Sequence, residues 1–379
     1  MIEIDCAFPG GNVAVDSIEG DTVQVRPDVR DSEGHWFYWY FRVRWAERRT
    51  LRFAFEHDDV GVRGPGVSLD GGWTWRWLGT ELGDERSYTY SFPEDAAEVR
   101  FSFGMPYTQA NLDAFLSERA AHPHLRAGTL CQSRKGRAVE ALSFGKLAGE
   151  PEHRVLLTAR HHACEMMASY ALEGMIDAAL ADDETGQWLR QHVGFLAVPF
   201  VDKDGVEDGD QGKSRRPHDH NRDYVAPCLY PEVRALREHA REWSRRRLRM
   251  ALDLHCPGHR GEWHELIHFV GMPNDRLWSR IGRFCDVLER TATGPLPYRT
   301  CNNLPFGVAW NTPDEYGPLG GEPANASDWL AALPGISLGA TVEIPYANAQ
   351  GVEVNADTAR SFGRDLAKAI REHLAEGSG

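Results

Sequence analysis

The chain has 379 residues, 42% of them hydrophobic and 26% charged, with a formal net charge of −14. That length points to about two domains, each able to bury a sizeable core, and the acidic balance disfavours nucleic acid as a partner. No apolar run reaches the ~18 residues of a membrane helix, the seven scattered Cys suit reduced thiols, and Met1–Cys6 lacks the basic and apolar regions of a signal peptide; a cytoplasmic protein is expected.

Residues 1–108 read as an all-β sandwich domain and 109–379 as an α/β domain. His35–Trp45, Leu51–Phe55, Tyr88–Phe92 and Val99–Gly104 are short, aromatic and largely alternating, with turn residues between them, which predicts strands of a sandwich. Arg42, Arg44, Arg52 and Arg100 alternate with the aromatics; on an acidic chain these are solvated strand positions rather than a nucleic-acid face. Ala110 to Ala121 reads as helix. Strands at 154–159, 194–200, 250–255 and 338–345 then alternate with helices at 165–180, 231–245, 275–290 and 357–375. That order predicts a largely parallel sheet with helices on both faces, whose ligands sit at the carboxyl ends of the strands. Segment 296–335, rich in Gly, Pro, Asn and Trp, reads as a long ordered loop.

Two metal motifs compete. His264-Glu-Leu-Ile-His268 is a literal H-E-x-x-H, which needs a helix to bring both His to one zinc. Trp263–Val270 is short, bounded by Gly261 and Gly271, and rich in Ile, Phe and Val in its second half, so it reads as a strand. There the two His would stand ~13 Å apart. The quieter pair is His162-Ala-Cys-Glu165, whose imidazole and carboxylate can share one zinc. It has copies of the same spacing at His239/Glu242, His259/Glu262 and His373/Glu376, but it alone follows a predicted sheet strand directly. Two more strands deliver candidates to the same edge: Met250–His255 ends in a His, and Leu338–Glu343 carries a Glu into an apolar strand, where an unpaired carboxylate is costly. The polar tetrad Asp219-His-Asn-Arg222 should lie there too.

His162–Glu165, Asp202–Val206, Asp219–Tyr224, Asp253–His255 and Thr341–Tyr346 occur in the order found in zinc carboxypeptidases of the funnelin type. The chain resembles that family over nearly its whole length. It is most similar to the cytosolic carboxypeptidase branch, whose N-terminal sandwich residues 1–108 resemble, including Phe101–Thr108. The resemblance implies a mixed, largely parallel eight-stranded sheet and one Zn2+ per chain held by His162, Glu165 and His255. Asp219 would fix the tautomer of His162, Asn221 and Arg222 would bind the terminal carboxylate of a peptide substrate, and Glu343 would be the general base. Arg215 or Arg216 would stabilise the oxyanion, although both stand closer to Asn221 than the family pattern has it. Tyr316 is the candidate to cap the substrate carboxylate. His218–His220 is read as loop polarity rather than a second metal site. The implied activity is hydrolysis of a C-terminal or side-chain-linked amino acid, with an acidic preference by analogy to cytosolic relatives. The alternatives are a zinc deacylase of N-acyl amino acids, an H-E-x-x-H endopeptidase, or a binding protein with a decayed site. Oligomeric state is not encoded in any of these features.

Overall fold

A computed structural model describes residues 2–312 and 325–377. Before the first helix come β1 (Glu3–Asp5), β2 (Ala14–Glu19), β3 (Thr22–Arg26), β4 (Tyr40–Arg44), β5 (Thr50–Ala54), β6 (Gly66–Ser68), β7 (Arg76–Trp77), β8 (Ser87–Ser91) and β9 (Glu98–Ser102). They form a five-stranded sheet, β1-β4-β9-β6-β7, and a four-stranded sheet, β2-β3-β5-β8. Alternation explains the packing. Phe41 and Phe101 are fully buried and meet Phe53 and Tyr88 of the other sheet, with Phe41 and Phe53 ring centroids 5.4 Å apart. Each such side chain contributes about 1.5–3 kcal/mol by leaving water. Arg42 and Arg44 face the other way and pair with Asp5, while Arg100 pairs with Glu98. The strand expected from His35 begins only at Tyr40. The backbone of Tyr38 is already occupied, since its N–H and carbonyl both bond the Gln211 side chain at 2.8 Å.

The remainder comprises α1 (Gln109–Glu118), β10 (Leu125–Gln132), β11 (Ala138–Gly145), β12 (His153–Ala159), α2 (Met167–Leu180), α3 (Glu184–His192), β13 (Val193–Val198), α4 (Lys203–Asp208) and α5 (Pro231–Ser244). After these come β14 (Leu248–His255), β15 (His268–Phe269), α6 (Asp275–Thr291), α7 (Ala326–Ala331), β16 (Leu338–Glu343), β17 (Asn348–Ala349), β18 (Val352–Glu353) and α8 (Ala356–Glu376). The central sheet is mixed and has seven strands among the described residues, in the order β10-β11-β13-β12-β14-β16-β15. Four central strands run parallel, and β10, β11 and β15 are antiparallel additions at the edges. The expected eighth strand is replaced, beyond β15, by a single isolated bridge between Val270 and Leu304.

Both faces of this sheet are covered. Val155 and Leu157 enter one core with α2, α6 and α8, and Leu156 enters a second core with Val233 and Leu236 of α5 and Trp329 of α7. The H-E-x-x-H stretch is not α-helical: Glu262–Glu265 is one 3-10 turn, and only His268–Phe269 is strand. The expected loop at 296–335 contains α7, capped by Asn325 Oδ1 accepting from Asp328 N at 2.9 Å.

Helices α2 and α8 cross without room for side chains. A Cβ on Gly174 would lie 1.9 Å from the Arg360 carbonyl oxygen, and one on Gly363 would lie 1.9 Å from that of Ala171. Neither backbone oxygen can move without parting the helices, so Gly363→Val should destabilise the fold by about 3 kcal/mol. Chemical denaturation of the variant and its parent measures this directly.

Candidate active site

Three strand ends meet. Strand β12 stops at Ala159, and Arg160 turns the chain with φ +61°, a left-handed conformation that a non-glycine residue adopts only when its surroundings hold it. Its buried guanidinium supplies that hold, donating to the carbonyls of Ala163 and Tyr107, both at 3.0 Å, and to Ser169 Oγ at 3.1 Å. The turn brings His162 and Glu165 back over the sheet edge. Strand β14 ends in His255 and β16 in Glu343, and these two residues are direct partners in the parallel register.

His162, Glu165 and His255 offer ligand atoms that all lie within 4.8 Å of one another. His162 directs Nε2 to Asp219 Oδ2 at 3.2 Å, and His255 directs Nε2 to Asp253 Oδ2 at 2.8 Å. The carboxylates therefore take the Nε2 protons and leave Nδ1 as the lone-pair nitrogen of each neutral ring. Yet His162 Nδ1 is 2.9 Å from Glu165 Oε1 and His255 Nδ1 is 2.7 Å from Glu165 Oε2. Lone pairs so close to carboxylate oxygens repel unless a cation lies between them or the rings are protonated. Burial disfavours charge on His255, but Asp253 and Glu165 outweigh it and hold its pKa well above the ordinary value. The donor set, two imidazoles and a carboxylate converging with oriented outer partners, fits zinc.

A second cluster, His161, Asp253 and His255, also has metal-like spacing, but its atoms are already satisfied. His161 bonds Asp253 Oδ1 at 2.7 Å and Tyr224 Oη at 2.8 Å, and Asp253 Oδ1 also accepts from Thr158 at 2.7 Å. His161 is thus a buried brace for Asp253. Cys164, between the two proposed ligands, has its Sγ near Tyr346 Oη at 3.6 Å.

A cavity of about 320 Å³ opens over the triad, and His162, Lys213, Asn221, Arg222, His255 and Glu343 all line it. Glu343 is 6% exposed, and its Oε2 has no hydrogen-bond partner. Burial, and next to it the repulsion of Glu165, raises its pKa against the pull of His255. Asp219 caps a 3-10 turn, accepting from Asn221 N at 2.7 Å, and thereby places both Asn221 and Arg222 beside His162.

Neither expected oxyanion arginine reaches this cavity. Arg215 is buried elsewhere in ion pairs with Asp31, Asp202 and Asp210, and Arg216 is exposed beside Glu33 at 3.1 Å. Beside the triad stands Lys213, whose Nζ is 2.7 Å from Glu165 Oε1 and 3.1 Å from the Cys256 carbonyl oxygen. It gets there because Gly212, at φ +79°, passes so close to Ala163 that a Cβ would sit 2.1 Å from its nitrogen. Asp202 caps α4 through Gly205 N at 2.9 Å. His218 bonds the Arg222 carbonyl and His220 stacks on Tyr230, so the His218–His220 run gathers no metal site. Tyr316 lies outside the described residues.

The purified chain should carry one zinc. His255→Ala should lose it, whereas His268→Ala should keep it, as read by elemental analysis. Asp253→Asn should weaken zinc affinity by about 10–100-fold in a chelator competition, because it loosens the His255 ring.

Comparison with known proteins agrees with this geometry. Residues 112–258 match the family model for zinc carboxypeptidases, Peptidase_M14. The chain is 26% identical over 231 residues to cytosolic carboxypeptidase 2 of Macaca fascicularis, spanning 57% of this chain and 27% of that protein. It is 24% identical over 263 residues to cytosolic carboxypeptidase 6 of Caenorhabditis elegans, spanning 60% and 56%. The chain thus spans from about a quarter to about half of the length of these curated relatives. Among solved structures, a metallo-carboxypeptidase from Burkholderia cenocepacia has the same fold, with a TM-score of 0.81 at 20% identity over 99% of this chain and 100% of that one. Residues 112–258, which carry the triad, thus match the zinc carboxypeptidase family.

Proposed function

We propose that this protein is a zinc metallocarboxypeptidase that removes a C-terminal or side-chain-linked amino acid from a peptide. The observation that carries the reading is one cavity lined by His162, His255, Glu343 and Arg222. Zinc at the triad would supply the Lewis acid that makes water a nucleophile near neutral pH. The chain's own groups do the rest. Arg222 and Asn221 hold the substrate's terminal carboxylate, Arg222 by a two-pronged contact. Glu343 accepts the proton of the attacking water and returns it to the leaving amine nitrogen. Lys213, rather than Arg215 or Arg216, faces the oxygen that gains negative charge at the scissile carbonyl. An ammonium held in place by Glu165 and the Cys256 carbonyl needs no reorganisation as that charge develops. Tyr316 remains a candidate cap over the substrate carboxylate.

Residues 1–108 are proposed as an accessory sandwich domain against the catalytic portion, 109–379. The names of the curated relatives support a cytoplasmic location, and no described helix is long and apolar enough to cross a membrane.

Among the described residues the cavity is also lined by Val270, Ser327 and Thr341, none of them charged. Among the described residues the cavity's cations, Lys213 and Arg222, are already assigned to the oxyanion and the terminal carboxylate, so an acidic side chain there would have none left to pair with, at a cost of several kcal/mol. An uncharged C-terminal residue is therefore preferred over the acidic one that analogy to cytosolic relatives suggests.

Three outcomes are expected. Glu343→Gln should lower kcat by about 10²–10⁴-fold while retaining zinc. Lys213→Met should lower kcat by about 10²–10³-fold, and Arg216→Met, at an exposed position beside Glu33, should not. In amino-acid release assays, peptides ending in Leu or Phe should be cleaved faster than those ending in Glu. Release of acid only from N-acyl amino acids would refute the peptidase reading in favour of a deacylase.

A further inference from the structure

We propose that Trp36 and His264 form the subsite for the substrate residue preceding the scissile bond, so that the sheets before α1 contribute directly to peptide recognition. The proposal rests on the carboxypeptidase reading and adds the part of the substrate that reading leaves unassigned.

The triad divides the cavity into two sides. On one side Asp219 links His162 to Asn221 and Arg222, Asn221 Oδ1 accepts from Ala326 N at 3.1 Å, and Ser327 Oγ bonds Thr341 Oγ1. That is the side of the terminal carboxylate. On the other side Lys213 spans from Glu165 to Trp36, its Nζ 5.6 Å from the indole centroid. Trp36 and His264 both line the cavity, and His264 is near enough to Lys213 to feel its charge. A peptide anchored at Arg222 with its last bond over the triad must run its upstream backbone in this direction.

His264 arrives there by close packing. A Cβ on Gly258 would lie 2.4 Å from His264 Nδ1, so only a glycine three residues after His255 lets the ring settle. His264 Nδ1 stands 2.5 Å from the Arg260 carbonyl oxygen and must donate to it. The tautomer is thereby set, and Nε2 presents a lone pair. An acceptor of this kind suits a backbone N–H of an extended peptide. Trp36 offers the complementary surface, a flat apolar face for the adjoining side chain.

The wall is held from the N-terminal sheets. Phe37 packs on His259 with ring centroids 4.3 Å apart, His259 Nε2 bonds the Asp58 carbonyl at 2.6 Å, and Arg260 donates to the Val60 carbonyl at 2.7 Å. Trp36 and the loop carrying His264 therefore form one composite surface. This is the H-E-x-x-H His that the metal site did not use.

The test measures kcat and KM for blocked di-, tri- and tetrapeptides with the same two C-terminal residues, on the zinc-loaded full chain. The parent should gain about 10-fold or more in kcat/KM from di- to tetrapeptide, chiefly through KM. Trp36→Ala and His264→Phe should each abolish most of that gain, and Trp36→Phe and His264→Gln, which keep a flat face and an acceptor, should retain it. A gain that survives in both disruptive variants, or one absent from the parent, overturns the subsite. A parent that releases no C-terminal residue from any peptide overturns the carboxypeptidase reading itself, and the subsite falls with it.

Discussion

The site depends on the parallel register of β12, β14 and β16. Ala159 pairs with Leu254, and His255 pairs with Glu343. Strand register is all or nothing: a slip by one residue sends every side chain to the opposite face. The two-sided core is what forbids the slip, since Leu156 and Leu157 are committed to different cores. Metal geometry is thus inherited from apolar packing several residues away. The same register aligns Asp253 with His255, two positions apart on one strand face, so a single strand carries both a ligand and the carboxylate that orients it.

The second constraint is the clamp on the loop that carries Lys213. Asp31 accepts from Gln211 N at 3.0 Å and Gly212 N at 2.9 Å, while Asn12 Nδ2 donates to the Gly209 carbonyl at 2.7 Å. Buried polar groups of this kind must be paired, because an orphan costs about 1–3 kcal/mol. Arg215 belongs to this clamp through Asp31, Asp202 and Asp210. Its charge is spent on holding the loop, which is why the lysine two residues earlier, and not the arginine, faces the triad.

What could be read in the residues follows from which forces are local. His162 and Glu165 were identifiable because a strand precedes them, and His255 and Glu343 because polar residues close apolar strands. Lys213 was not, because its placement depends on the passage of Gly212 beside Ala163 and on a partner loop distant in sequence. Trp36 gives no local sign of a site, since its neighbours read as an ordinary aromatic strand. The β10–β11 hairpin escaped because β10 is an edge strand with mostly exposed side chains, so it lacks an apolar alternation. Helix α7 is six residues long, too short to show a period.

The contrast between the two histidine motifs shows why position outweighs pattern. His264 and His268 match a zinc motif letter for letter, but the 3-10 turn ends at Glu265 and His268 is buried on β15 opposite Glu343. One ring enters the cavity while the other is buried on the edge strand beside β16, its ring 6.2 Å from that of Trp310. His162 and Glu165 match a spacing found three more times in the chain. What distinguishes them is electrostatic: at that edge Glu343 shares a cavity with two imidazoles that both touch Glu165 and whose outer nitrogens are already bonded to carboxylates. So dense a set of acceptors is tolerable only around a cation. Lys213 supplies one charge from the side, and the remaining deficit lies at the centre of the triad, where a divalent ion belongs.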